Sequence, residues 1–342
     1  MVIKIKFKIL YSLVVLILIV GLFCSFMIYS PSSAVAMDGE NGFIKWVDFG
    51  VCYEALDKAL KADIKSVDNE VKLDWIEILA YLASRYGGNF SRYKSKDMDD
   101  LINKLNNGES IEKLTENLKY YNYFREAYTA VLGGFVGGYE IEIDDKDNPG
   151  QKKWVQKYGL KAFSPVAGGY YYNHYDDFGN SRDYGFRRVH LGNDLMGSIG
   201  TPIIAVESGK IEALGWNQYG GWRIGIRSFD QKRYYYYAHL RKDHPYRNDL
   251  KVGDTVYAGD VIGYMGRTGY SLKENVNNID TTHLHFGMQL IFDESQKETI
   301  SEIWIDVYNI VKLLSKNKSP VAYNSETKEF NRVYNIKFLN MK

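Results

Sequence analysis

The sequence predicts an α+β chain in three parts: an apolar N-terminal segment, a small helical module, and an all-β domain closed by a C-terminal helix. Three observations carry this. An uncharged, largely aliphatic run fills residues 9–33 behind Lys4, Lys6 and Lys8. Apolar residues then recur at helical spacing as far as about residue 138. Beyond residue 163 the chain becomes short β-branched and aromatic runs, punctuated by Gly, Asp and Asn at the close intervals of an all-β domain.

The N-terminal segment, residues 1–36, sets the expected compartment. Positive residues before an apolar run send the following chain across a membrane. The run is long enough to span a bilayer, which favours an anchor. Ala34-Val35-Ala36 also offers a signal-peptide cleavage site, so anchored and secreted forms are both expected outside the cytoplasm.

The 342-residue chain has 43 basic and 42 acidic residues and a net charge of +1. That balance gives no electrostatic reason to expect a nucleic-acid partner. Two cysteines, one of them Cys24 in the apolar run, leave no disulfide framework. The 29 tyrosines suit polar clefts as well as core.

Residues 46–140 read as the helical module. Ile76, Leu79, Leu82 and Ala83 lie near helical spacing and stop at Gly87-Gly88, and Met98, Leu101, Ile102 and Leu105 repeat it. Ser110 is an N-cap for a helix carrying Ile111, Leu114 and Leu118 toward Gly133-Gly134. No catalytic constellation stands out here, so the module is expected to be a spacer or to dock an envelope partner. Asp144 to Gly150 is turn-rich, and residues 141–160 are read as a linker.

Residues 161–315 form the β domain, with strands expected at 202–206, 210–214, 223–229, 233–240, 255–257, 261–264 and 283–292. A helix is expected over 303–314, with Ile303, Val307, Ile310, Val311 and Leu314 on one face. Residues 316–342 read as a tail. Leu250 to Gly263 is similar to the hairpin of lipoyl-type carriers, but no modifiable lysine sits at its tip.

The histidines give the β domain its chemistry. His283 and His285 alternate with Leu284 and Phe286, so on a strand both imidazoles point to one face. A lone pair of this kind would read simply as two histidines on a wet face. Two further elements change that reading. In His190-Leu191-Gly192-Asn193-Asp194, Gly192 argues against a helix, so His190 ends one strand and Asp194 enters the next. In the run from Tyr234 to Leu240, strand alternation puts His239 on the same side as Tyr235 and Tyr237, which then line a cleft or pack in the core.

These motifs, in this order, resemble the lysostaphin/LytM-type zinc endopeptidases, which cut the peptide part of bacterial cell walls. Val252-Gly253-Asp254, Gly259-Asp260-x-Ile262-Gly263 and Gly266-Arg267-Thr268-Gly269 agree as well. The resemblance covers about residues 163–314. It implies that His190, Asp194 and His285 ligate zinc, that His239 and His283 are catalytic, and that peptidoglycan is the substrate. Two imidazoles, one carboxylate and an open fourth position make a catalytic rather than a structural zinc set. His283 is then expected to move protons and His239 to hold a developing oxyanion. The sequence departs from the family at an insertion, 271–280, expected to border the cleft, and at Gly287, where an acidic residue is common. His174 and His244 match nothing in the pattern and are read as surface or substrate-flank residues. The alternative to catalysis is an envelope scaffold that keeps the fold for partner binding. Retention of all five site residues favours catalysis.

Overall fold

Helices form where the sequence caps them. In the computed structural model, α1 (Tyr53–Ser66) and α2 (Trp75–Tyr86) open the helical module. The Asp74 carboxylate accepts the Ile76 and Glu77 amides at the start of α2, and Gly87, at φ +63°, ends it in the left-handed region. Next come α3 (Ser95–Asn106) and the short α4 (Ile111–Thr115), which Ser110 caps by accepting the Lys113 amide. The stripe expected to run on from Ile111 breaks after Thr115 and resumes as α5 (Tyr121–Leu132). The structure describes residues 43–183, 187–297 and 301–339, within the compact unit Met37–Lys342. The apolar segment at 1–36 lies outside them. Among the described residues no helix is long and apolar enough to cross a membrane.

Residues 141–160, read as a linker, are not one. They belong to a β-hairpin, β1 (Val136–Asp144) and β2 (Lys152–Leu160), whose arms pair from Val136↔Leu160 to Asp144↔Lys152. Tyr139, Ile141 and Ile143 alternate with Glu140, Glu142 and Asp144, the period of a strand. The turn-rich Asp144–Gly150 stretch closes the hairpin, with Asp145 accepting the Asp147 amide.

The β domain then adds β3 (Asn173–His174), β4 (Ser181–Asp183), β5 (Arg187–Val189), β6 (Asn193–Met196), β7 (Pro202–Ile204), β8 (Gly209–Asn217), β9 (Gly221–Ser228) and β10 (Arg233–Ala238). It continues through β11 (Thr255–Val256), β12 (Val261–Tyr264), β13 (His283–Leu290) and β14 (Ile303–Ile305). The main sheet is antiparallel, ordered β11-β8-β9-β10-β13-β6-β3, with β14 on β13. Its buried face carries Ile224, Ile226, Tyr235, Tyr237, Leu284 and Phe286.

The expected 303–314 helix is shorter. Ile303, Trp304 and Ile305 pair with Leu290, Gln289 and Met288, and the helix, α6, is Tyr308–Leu314. The Asp306 carboxylate accepts the Tyr308 amide at the changeover. The described part of the expected tail, residues 316–339, is also structured. β15 (Val321–Asn324) and β16 (Glu329–Arg332) form a hairpin, and β17 (Ile336–Phe338) pairs with β1. Buried Glu329 bonds the Tyr264 hydroxyl and the Asn248 amide, tying this hairpin to the β domain.

The helical module is joined to the β domain through buried polar contacts. Arg233, fully buried, donates from Nε to Glu207 at 2.7 Å and from Nη2 to Asp230 at 2.6 Å. Its remaining nitrogen donates to the Ala130 carbonyl at 2.6 Å, satisfying an end group in the last turn of α5. Gly134 lets Glu207 approach, since a Cβ there would fall 1.6 Å from its Oε1. Gln296 donates to the Ile44 carbonyl at 2.9 Å, and Tyr158 to Asp63 at 2.9 Å. Removing one member of such a buried set strands the other charges, at a typical cost of about 3–5 kcal/mol. Arg233→Ala is expected to lose stability on that scale. A chain starting at Lys152, lacking α5 and β1, is expected to lose at least as much by urea unfolding. An unchanged midpoint in the truncated protein would show that the β domain folds alone.

Candidate metal centre

The register of the main sheet builds the site. β13 lies between β6 and β10, with Asp194↔His285 on one side and Ala238↔His285 on the other. A cross-strand pair brings Asp194 and His285 into direct contact, and their side chains project from the same face. His190 follows β5, and the chain turns through Leu191 and Gly192 into β6, as the sequence predicts. Only glycine fits at 192: a Cβ would lie 2.6 Å from the Phe286 carbonyl and 2.8 Å from the His285 ring.

Three ligand atoms converge there. His190 Nε2 is 2.8 Å from His285 Nδ1 and 3.1 Å from Asp194 Oδ1, and the last two are 3.3 Å apart. Ligands at zinc bond lengths on a tetrahedron stand about 3.3 Å from one another, so this triangle fits the ion. The surroundings fit as well. His190 Nδ1 lies 3.0 Å from the Asp177 backbone carbonyl, which can only accept, so Nδ1 carries the proton and Nε2 presents a lone pair. Arg182 bridges the Asp177 and Asp194 carboxylates at 2.6 and 3.2 Å, holding the second oxygen of Asp194 and leaving the first for the metal.

The electrostatics agree with a cation site. Burial opposes charge on His190, yet the carboxylates of Asp177 and Asp194 outweigh it and raise its pKa to about 9. Burial also works against the Asp194 charge, but the close imidazoles of His190 and His285 hold its pKa far below the usual carboxylate range. His285 is held below the usual imidazole range, by burial first, against the pull of Asp194.

The structure brings His239 and His283 beside this triangle. Their rings lie 4.7 Å apart, and the His239 ring is 5.9 Å from that of His285. Each is fixed by a backbone carbonyl, His239 Nδ1 to Thr268 at 2.9 Å and His283 Nδ1 to Thr281 at 2.8 Å. As those oxygens only accept, both Nδ1 atoms carry protons, so in the neutral form of each ring Nε2 is the bare nitrogen. Burial, with His283 and His285 adding to it, drives the His239 pKa well below its ordinary value.

His239 reaches the site by a route that strand alternation does not give. β10 ends at Ala238, and His239 has φ +62°, in the left-handed region. That reversal takes His239 off the face it would share with Tyr235 and Tyr237. Both tyrosines are fully buried in the core, and Tyr234 and Tyr236 line the cleft instead. The cleft holds about 700 Å³. Its wall explains Gly287: a Cβ there would lie 2.9 Å from the Trp304 ring, which stands 6.1 Å from Tyr236. The 271–280 insertion, expected to border the cleft, contributes no residue to its lining: Asn275 accepts from Trp222 Nε1 and donates to Asp243, and it is Tyr270, just before the insertion, that lines the cleft. His174 and His244 lie elsewhere. His174 stacks on Tyr308 at 4.5 Å, and burial lowers its pKa to about 4; His244 stacks on Tyr264 at 4.9 Å.

Residues 188–298 match the family described as Peptidase family M23. The chain is 38% identical over 117 residues to the L-Ala–D-Glu endopeptidase of Bacillus subtilis, a span covering 34% of each chain. It is 42% identical over 99 residues to lysostaphin of Staphylococcus staphylolyticus, 29% of this chain and 18% of that one. It thus spans about a third or less of the length of these relatives. The crystallised catalytic domain of lysostaphin from Staphylococcus simulans is 33% identical, with 41% of this chain and 92% of that domain covered at a TM-score of 0.32. All five histidine and aspartate positions of the site fall within residues 188–298, the part of the chain that matches peptidase family M23.

Proposed function

We propose that this chain is an extracytoplasmic zinc metalloendopeptidase that hydrolyses peptide bonds in bacterial peptidoglycan cross-links. The observation that carries the reading is the convergence of His190, Asp194 and His285 beside two further imidazoles with bare Nε2 atoms, in one wall of a large cleft. An envelope scaffold would have no need of that arrangement.

His190, Asp194 and His285 would hold the metal. Bound zinc supplies Lewis acidity, lowering the pKa of water and polarising a carbonyl. His283, with its proton fixed on Nδ1, is the proton acceptor: Nε2 takes a proton from the attacking water and later returns it to the leaving amine. His239 has the same tautomer, so it stabilises a developing oxyanion only when it carries a second proton on Nε2. Tyr236, whose ring is 5.8 Å from His285, backs the ligand and limits water on that side. The N-terminal lysines and apolar run support placement outside the cytoplasm, tethered to the membrane or secreted. The helical module would serve to orient the cleft toward the wall or to meet an envelope partner.

The purified chain is expected to bind about one zinc, and His190→Ala or Asp194→Ala to lose it. Stoichiometric zinc in the Asp194 variant would remove that residue from the ligand set. The paired histidines are expected to separate. His285→Ala loses zinc, whereas His283→Ala keeps zinc and fold but loses turnover by about 100- to 10,000-fold. Peptides released from cell walls, identified by mass, provide the assay. Loss of zinc from both variants would mean that β13 supplies two ligands.

A further inference from the structure

The cleft beside the metal centre is cationic in a way that its own acids do not balance. Among the acids that line it, Glu212 is ion-paired with Lys297 and lies 3.6 Å from Arg227, and Glu302 accepts Trp304 Nε1 at 2.7 Å. Asp194 belongs to the metal triangle. Arg188 and Arg223 also line the cleft, and among the described residues neither has a carboxylate partner. Their Nε atoms are buried and make no hydrogen bond. A buried guanidinium donor left unsatisfied is costly unless an anion arrives to meet it.

Both side chains are held in place. The Arg188 guanidinium lies 4.8 Å from the ring centroids of both Tyr219 and Tyr270, between two aromatic walls that fix its position. Tyr270 in turn stands 5.9 Å from His239. Arg223 is on β9, two residues before Gly225, which pairs with Tyr236, so it shares the cleft face of the sheet. It lies beside the Tyr234 phenol, a neutral neighbour that leaves its charge unmatched.

We infer that Arg188 and Arg223 form a carboxylate-recognising subsite, and that the peptide bond cut lies within a residue or two of a free carboxylate. The planar, two-donor edge of arginine matches a carboxylate better than a neutral chain. The subsite therefore selects an acidic stem peptide, in which a glutamate linked through one carboxyl leaves the other free, over a glycine bridge, which offers no charge. This rests on the peptidase reading above and specifies its substrate class.

The test uses the full-length zinc-loaded chain and three peptides: L-Ala–γ-D-Glu–L-Lys with its α-carboxylate free, the same peptide as the α-carboxamide, and pentaglycine. The carboxylate peptide is expected to have a kcat/KM about 10- to 100-fold above its carboxamide, with pentaglycine lower still. Arg188→Gln and Arg223→Gln should each shrink that ratio, chiefly through KM, and the double variant should bring it close to one. Arg223→Lys, which keeps the charge without the fork, should restore part of it. Calorimetry on the full-length His283→Ala protein reads binding of the same peptides without turnover. Equal affinity for the carboxylate and carboxamide peptides, or tighter binding of pentaglycine, overturns the subsite whatever the variants do. Preferential carboxylate binding with no cleavage of any peptide by the unsubstituted chain leaves the subsite standing and overturns the peptidase reading. Carboxylate selectivity unchanged in the folded double variant assigns the recognition elsewhere and rejects these two residues.

Discussion

Strand register is the constraint on which the site depends. Asp194 and His285 face each other across β6 and β13, and Ala238 of β10 occupies the next place in the same row. A slip of one residue along β13 would turn His283 and His285 into the core and bring Leu284 and Phe286, both fully buried, out into the cleft. The apolar alternation of β13 therefore fixes the ligand geometry indirectly. Burial of Leu284 and Phe286 against Tyr235, Tyr237 and the rest of the core opposes any slip. Asp194 and His285 inherit their positions from side chains on the opposite face.

Much of this was legible because local pattern and final environment agree. The His-x-His run alternates as a strand must, and Gly192 marks a turn that a glycine alone can make beside His285. Helix α2 was legible at its end, Gly87, and α4 at its start, Ser110, for the same reason. What sequence did not give depends on partners distant in the chain. Strand alternation placed His239 with Tyr235 and Tyr237, but its left-handed backbone is held by long-range bonds, the His239 amide to Gly220 and the His239 carbonyl to Gly266. Ile303 to Ile305 suit either a helix face or a strand, and β13 decides. The period-two signal in β1 was present, yet the Asp- and Asn-rich turn after it drew the reading toward a linker. β17, the strand that completes that sheet, lies nearly two hundred residues later.

The buried Arg233 set shows a second trade. A hydrocarbon side chain could fill the space around Glu207 with no desolvation cost, and buried ion pairs are poor sources of net stability. This set also satisfies backbone carbonyls at the end of α5, which gives it geometric consequences. Arg233 and Tyr235 stand on the same face of β10, and both bond Glu207. Tyr234 and Tyr236, on the other face of the same strand, line the cleft. The helical module is thereby connected to a strand of the site, although it contributes no side chain lining the cleft among the described residues.

The two free imidazoles differ in how far they can share their work. Both have Nδ1 pinned to a carbonyl, so neither can exchange tautomer without breaking a bond to Thr268 or Thr281. That rules out a neutral His239 that donates through Nε2 while its present backbone bond is kept. It also means that His239 and His283 begin as equivalent acceptors. Position distinguishes them. His283 Nε2 is 3.8 Å from Asp194 Oδ1, the oxygen that closes the His190–Asp194–His285 triangle, so it borders that triangle. His239 is set further back, against the aromatic wall of Tyr270, toward the side of the cleft where Arg188 stands. His283 thus stands beside the Asp194 carboxylate, whereas a proton on His239 is disfavoured first by burial and then by His283 and His285, and is given up readily. The first arrangement suits an acceptor that must hold a proton through bond cleavage. The second suits a donor that is charged only while negative charge is present opposite it.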